Sequence, residues 1–358
     1  MKIRIALLNY EKPTASDRRR RLSLINFLQH KGEDVGLYQE GEDFDVLIVA
    51  NRDFERWLHI IESVQNRCQV VIFDITDNIL QSGFLTTHLG LTHRFGILAK
   101  RLVGAMMGKP WPSPIAEEFW KKCDGIVTGS KEQARIFAAY NKHVVDIVDP
   151  VDLNEYNTVK IHKSRSLPVV VWEGTADNLP YLRVCAKPLS LLIKEGIISL
   201  KVVTDRYRNS RYWGTKDNRK LMRKMGLKGE FVEWQLTTFA KELADADIGI
   251  ALLPSYDPFA FTKPANKILG YMAIGLPVVA SGTPAYKEIL SKGKFGFVAE
   301  NELEWYRALK RLAQDPYLRQ EMGKSGRSFI LKEYTLSHYV ERYMTFIQEC
   351  LARKQQRG

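Results

Sequence analysis

"FTKPANKILGYMAIGLPVVAS", residues 261–281, reads as a loop, a short apolar helix, a stop and a buried strand. Pro264 suits the first helical turn, where a missing N–H does no harm. "KILGYMAI" supplies the helix, Gly275 ends it, Pro277 prevents its continuation and "PVVAS" is the strand. The puzzle is the charge. Lys263 and Lys267 crowd the helix start, where unpaired N–H groups already carry about half a positive charge. Each misplaced cation costs roughly 0.3–1 kcal/mol. An anion between them, such as a pyrophosphate, turns that cost into attraction; two solvated loop lysines are the plain alternative.

Composition narrows the answer. The 358 residues exceed one ordinary core and suit two domains of about 150 residues each. A hydrophobic content of 45% is that of a globular protein. The longest apolar runs, "FDVLIVA" and "IGIALLP", are strand-length and far short of a bilayer span. "MKIRIALLNYEK" lacks the apolar run of a signal peptide. The expected location is therefore the cytoplasm. Cys68, Cys123, Cys185 and Cys350 show no CxxC spacing, so buried free thiols are expected rather than a metal site. Lys and Arg exceed Asp and Glu by 53 to 41, a net charge of +12. Such a field favours polyanionic partners.

Around the opening stretch, apolar runs alternate with helix-period segments from end to end. In the first half the expected strands are 2–9, 34–39, 45–50, 69–75, 125–130 and 144–149. After a polar break at 153–167 the pattern restarts with strands at 168–174, 199–205, 230–234, 247–254, 277–281 and 296–301. "NLPYLRVCAKPLSLLIKEG" is expected as one helix after the first of these. Continuous apolar strands joined by helices imply parallel sheets covered on both faces. The fold class is α/β, with two Rossmann-like doubly wound domains. Domain one is expected over 1–160 and domain two over 161–335, with a last helix over 336–358 that returns to the first domain.

In open α/β sheets ligands bind beyond the carboxyl ends of the strands. After "VVVWE" come Gly174, Thr175 and Ala176, a turn that lets a phosphate approach the backbone, with Asp177 and Asn178 as candidate helix caps. No GxGxxG or GxxxxGK[ST] occurs. "DAD" (245–247) has the spacing of a metal-binding pair, but its place before a buried strand favours a helix-end role. "HRFGILAKRLVGAMMGKPW" (93–111) suits either an interfacial helix or a core-packed one. Residues 206–228 hold nine basic residues against one acid, with Tyr207, Tyr212 and Trp213 among them. They are expected as an exposed helix and loop, with contact to a membrane surface as an option and nucleic acid as a less favoured partner.

"LADADIGIALLP", "KPANKILGYMAIGLPVVASGTPAYKEIL" and "GFVAE" resemble the donor half of GT-B glycosyltransferases, in particular the retaining family 4. "DPYLRQEMGKSGRSFILKEYTLSHYVERYMTFI" is similar to that family's closing helices, and "DGIVTGSKEQARIF" with "DIVDPVDLNEY" to the end of its first domain. The resemblance is strong over about residues 169–350 and weak over 1–120. It implies a nucleoside-diphosphate sugar as co-substrate, no bound cofactor and no required metal. Gly174, Thr175, Lys263, Asn266 and Lys267 would hold the diphosphate, Trp234 the base, and Asp257 and Phe259 the sugar.

On the acceptor side, Asp74, Asp77 and His88 are the candidate catalytic residues, with loop-capping as the alternative for the two aspartates. Arg18 and Arg19, in the basic run 18–21, would meet a phosphate-bearing acceptor or an anionic surface, unless that run is simply solvated. Glycan or lipid-linked acceptors fit, at the inner face of the membrane if the protein is peripheral. Two departures stand out: relatives keep paired glutamates where this chain has Thr262 and Gly270, and an Arg and a Lys after the first strand of domain two. They keep a second reading open, a non-catalytic module that binds glycan, anionic lipid or a partner, and a third, a nucleic-acid-directed relative.

Overall fold

The computed structural model describes residues 1–7, 11, 14, 16–64, 69–76, 112–160, 165–210, 214–254 and 257–356. The chain forms two compact units. One comprises Met1–Pro150, Thr262–Pro264 and Tyr334–Gly358, the other Val151–Phe261 and Ala265–Glu333.

In the first unit β1 (Ile3–Ala6) precedes a π-helical turn (Asp17–Leu22) that runs into α1 (Ser23–His30). β2 (Val35–Leu37), β3 (Val46–Val49), α2 (Phe54–Ser63), β4 (Val70–Ile75), α3 (Pro114–Lys122), β5 (Gly125–Thr128), α4 (Lys131–Phe137) and β6 (Val144–Asp146) follow. The six strands are parallel, in the order β2-β1-β3-β4-β5-β6. Successive side chains on a strand point to opposite faces, and here both faces are apolar. Val46, Ile48, Val70 and Ile72 enter one core; Leu47, Val49, Val71 and Phe73 enter the other. The sequence therefore reads as unbroken apolar runs rather than alternation. Side-chain caps start the helices: Ser113 accepts from the Ala116 N–H and Ser130 from the Gln133 N–H.

The second unit opens with β7 (Val169–Glu173), a 3₁₀ helix (Ala176–Val184), α5 (Ala186–Lys194) and β8 (Ser199–Val203). It continues through β9 (Tyr207–Ser210), β10 (Gly214–Asp217), α6 (Asn218–Lys224), β11 (Glu230–Val232), α7 (Phe239–Ala244), β12 (Ile248–Ala251), α8 (Pro258–Phe261) and α9 (Asn266–Ile274). β13 (Val278–Ser281), α10 (Pro284–Ser291), β14 (Gly296–Ala299), α11 (Glu302–Gln314) and α12 (Pro316–Glu333) complete it. Its parallel sheet runs β11-β8-β7-β12-β13-β14, with β9 and β10 as a separate antiparallel ribbon. The last helix, α13 (Leu336–Gln355), groups with the first unit, where Tyr339, Val340, Tyr343, Phe346, Ile347 and Cys350 join a core.

Four local expectations are corrected. Residues 178–196 are not one helix: Pro180 lies within the 3₁₀ stretch and Pro188 near the start of α5, and each proline removes a donor that a continuous α-helix needs. Asp177 and Asn178 lie inside that 3₁₀ helix, with Thr175 at its N-cap position. Pro264 precedes α9, whose N-cap is Ala265. Residues 206–228, expected as a helix and loop, instead carry the β9–β10 ribbon ahead of α6.

α9 is buried from Ile268 through Ile274, which explains its apolar sequence on every side. Gly275 ends it at φ 92°, donating to the Met272 carbonyl while the Leu276 N–H reaches the Tyr271 carbonyl. A Cβ at Gly275 would meet nothing closer than 3.9 Å, so the demand for glycine is conformational. Gly275→Ala should cost about 1–2 kcal/mol, read as a lower urea midpoint at unchanged m-value.

Candidate functional site

The second sheet has the strand order in which direction reverses between its first strand, β7, and its fourth, β12. The crevice beyond the carboxyl ends of such strands is where ligands bind. Glu173 and Gly174 stand at the end of β7, and α9 follows β12. Lys267, in the first turn of α9, reaches back to this point. Its Nζ donates to the Glu173 carbonyl, lies 3.5 Å from the Glu173 carboxylate and sits 5.3 Å from the centroid of the Trp172 ring. The Glu173 N–H donates to the buried Tyr271 hydroxyl at 2.9 Å. Burial, with the Glu173 charge beside it, pushes the Tyr271 phenol well above its ordinary value, so it stays a neutral anchor. Gly174 is needed for contact: a Cβ there would stand 2.9 Å from Trp172 Cζ2 and 3.0 Å from Lys267 Nζ.

The penalty of a lysine at a helix start is thus met inside the protein, by a carboxylate and an indole face. Side-chain exposure is 18% for Lys267 and 24% for Glu173. The pair is reachable from solvent yet partly desolvated, an arrangement that can exchange one anion for another. Sequence reading missed Trp172, Glu173 and Tyr271. The available signal was a glutamate closing a buried strand just before the glycine turn.

The other expected donor-side residues are placed as follows. Asn266 is half-buried as the first residue of α9, and Thr175 is exposed, accepting from Asn178 Nδ2. Lys263 is half-buried and belongs to the short segment Thr262–Pro264 that groups with the first unit. Trp234 is half-buried and stacks on Phe239 at 5.6 Å, which covers part of the ring expected to face a base. Phe259 is half-buried in α8. Asp257 is fully buried and its side chain accepts the Phe259 N–H at 3.0 Å, which caps α8. At Gly270 a Cβ would lie 2.6 Å from the Tyr156 hydroxyl oxygen, and Tyr156 packs edge-on against Phe239. Both aspartates of "DAD" are paired, Asp245 with Arg165 and Lys201, Asp247 with Lys160 at 3.0 Å.

Residues 211–345 match a family model described as glycosyl transferase-like. No curated protein matches the sequence. Among solved structures, HepE of Anabaena in complex with UDP is similar at TM-score 0.65 and 12% identity, over 98% of this chain and 100% of that one. Sucrose-phosphate synthase from Thermosynechococcus elongatus gives 0.64 and 12%, over 98% and 100%. The fold is GT-B. TarM is similar at 0.58 and 12% over 90% of this chain, which spans 57% of the TarM chain. At these identities the likeness is one of fold.

In the first unit the basic run at 18–21 divides. Arg18 and Arg19 are half-buried, while Arg20 and Arg21 turn inward. Arg20, 0% exposed, donates to Asp149 Oδ1 and the Ile147 carbonyl at 2.6 Å and to Asp74 Oδ1 at 3.0 Å. Arg21 pairs with Asp17 at 2.8 Å and donates to the Asp74 carbonyl, while the Tyr343 hydroxyl donates to Asp74 Oδ2 at 3.1 Å. Neither a solvated run nor an anion-facing one describes Arg20 and Arg21, because their charge is spent on buried carboxylates.

Asp74 is corrected with them. Burial alone would raise its pKa, but Arg20, Arg21 and the Tyr343 hydroxyl hold it below the ordinary carboxylate value. A sealed carboxylate that resists protonation is no general base. Asp77 and His88 lie outside the described residues. Because Asp74 is depressed in the folded protein, its contribution is complete above about pH 4 and is lost as the pH falls through its folded value. Asp74→Asn, which leaves Arg20 under-paired, should cost about 3–5 kcal/mol at neutral pH and flatten the acid limb of the stability profile. Thermal unfolding across pH measures both.

Proposed function

We propose that the protein is a glycosyltransferase that moves a sugar from a nucleoside-diphosphate sugar to an acceptor hydroxyl, with retention. The observation that carries this reading is Lys267, a partly desolvated cation at a helix start beside the Gly174 turn, at the reversal point of the second sheet. A diphosphate brought there would take the ammonium from Glu173 and receive N–H groups from the start of α9. Both would stabilise the charge that grows on the departing diphosphate. The glycosyl transferase-like match over 211–345 and the UDP complex of HepE support a nucleotide sugar, with UDP as the first base to test. Retention rests on the resemblance to family 4. The second unit, Val151–Phe261 with Ala265–Glu333, would form the donor half and the first unit the acceptor side, where a glycan or lipid-linked acceptor at the inner membrane face suits the excess positive charge.

One observation favours a second reading, a GT-B module that binds without transfer. Positions 262 and 270 carry no carboxylate, and the space beside Gly270 is filled by Tyr156.

Titration with UDP-, GDP-, ADP- and dTDP-sugars, followed by thermal unfolding, separates the two. A donor at a hundred times its Kd stabilises by about 2.7 kcal/mol, so one nucleotide class should raise the melting temperature by several degrees. Lys267→Ala should weaken that nucleotide roughly 10- to 100-fold through loss of a charge-assisted contact; unchanged affinity would remove Lys267 from the site. Release of free nucleoside diphosphate supports transfer, whereas binding without release supports the module.

A further inference from the structure

Residues 206–228 supply nine of the basic residues and only one acid. α6 carries Arg219, Lys220, Arg223 and Lys224, all exposed, above its buried Asn218 and Met222. The ribbon that leads into it places Arg208 opposite Lys216 and leaves Tyr207 51% exposed. Lys228 is exposed just beyond the helix.

This arrangement repels itself. Arg219 with Arg223, and Lys220 with Lys224, are like charges one helical turn apart, which destabilises a helix. Like charges directly opposite on a ribbon do the same. Arg223 and Lys224 suit the helix's C-terminal end, but Arg219 and Lys220 sit in its first turn, where cations are disfavoured. Elsewhere exposed lysines meet acids, as Lys187 does Glu302, Lys287 does Glu300 and Lys292 does Glu288. Among the described residues no carboxylate pairs with the side chains of Arg219, Lys220, Arg223 or Lys224. Asp217, the one acid of the segment, is held by Arg206 and by the Arg219 N–H.

We propose that the β9–β10 ribbon and α6 form a docking face for an anionic lipid bilayer. Four of its exposed cations lie on one short helix. Its described aromatics are already engaged by guanidinium groups, with Arg206 4.9 Å over the Tyr207 ring and Arg219 5.2 Å over Phe231, so they are poor platforms for bases. Headgroup phosphates need no such platform, only the clustered positive charge.

Co-sedimentation of the full chain with vesicles of phosphatidylcholine and phosphatidylglycerol, against vesicles of phosphatidylcholine alone, tests this. Binding should require the anionic lipid and weaken with salt. Each basic residue near the surface contributes roughly fivefold in partition, so replacing Arg219, Lys220, Arg223 and Lys224 together by Gln should reduce binding at least a hundredfold. Lys287→Gln with Lys292→Gln should leave it unchanged. All six positions are exposed, and thermal unfolding checks that the variants fold. Equal binding to both vesicle types, or full binding by the fourfold variant, overturns the proposal. Tighter binding to a single-stranded RNA oligonucleotide than to the anionic vesicles, lost in the same variant, overturns it in favour of nucleic acid.

Discussion

A guanidinium sealed from water must find its whole set of counter-charges in the protein, and Arg20 does so at 0% exposure. Its two carboxylates come from the end of β4 and from the residues after β6, and α13 lays the Tyr339 ring 5.6 Å away. Asp74 in turn needs Arg21 and the Tyr343 hydroxyl. A turn, two strand ends and the last helix are therefore tied to one another by groups that cannot be left unpaired, since removing one partner of a buried pair strands the other. The apolar faces of β1, β3 and β4 enter the two cores of this unit. The ion cluster fixes which ends must meet.

The second unit solves a similar problem with a different degree of exposure, and the difference decides the role. Lys267 is also a cation with an internal counter-ion and an aromatic neighbour. It keeps about a fifth of its side chain in contact with water, as does Glu173, so its partner is exchangeable where that of Arg20 is not. Position in the sheet adds the rest. Arg20 closes a packed core, whereas Lys267 stands at the point where strand order reverses and the chain leaves a crevice.

The strands were legible because burial on both faces writes continuous apolar runs, and α9 because its glycine and proline punctuation is strong. The two-unit organisation followed from the repeated alternation. The charged residues were read less well. Arg20 finds Asp74 54 residues away and Asp149 129 away, and Lys267 finds Glu173 94 away; no local pattern announces pairings at such separations. A run of four arginines looks solvated until two of its members are seen to be capped by distant aspartates. The ribbon at 207–217 was hidden for another reason. Its strands are polar and pair only with each other, so they lack the apolar signature by which the others were found.

Gly270 shows how packing can hold a position to one residue. It lies within a helix buried on every side, and the Tyr156 ring fills the space into which a side chain would grow. Phe239 packs against Tyr156, and Trp234 stacks on Phe239. A carboxylate at 270 would have to displace the tyrosine and then find a partner of its own, since an unpaired buried charge is costly. No single substitution does both. The absence of an acid from this part of α9 is therefore a property of the whole aromatic stack and not of one codon.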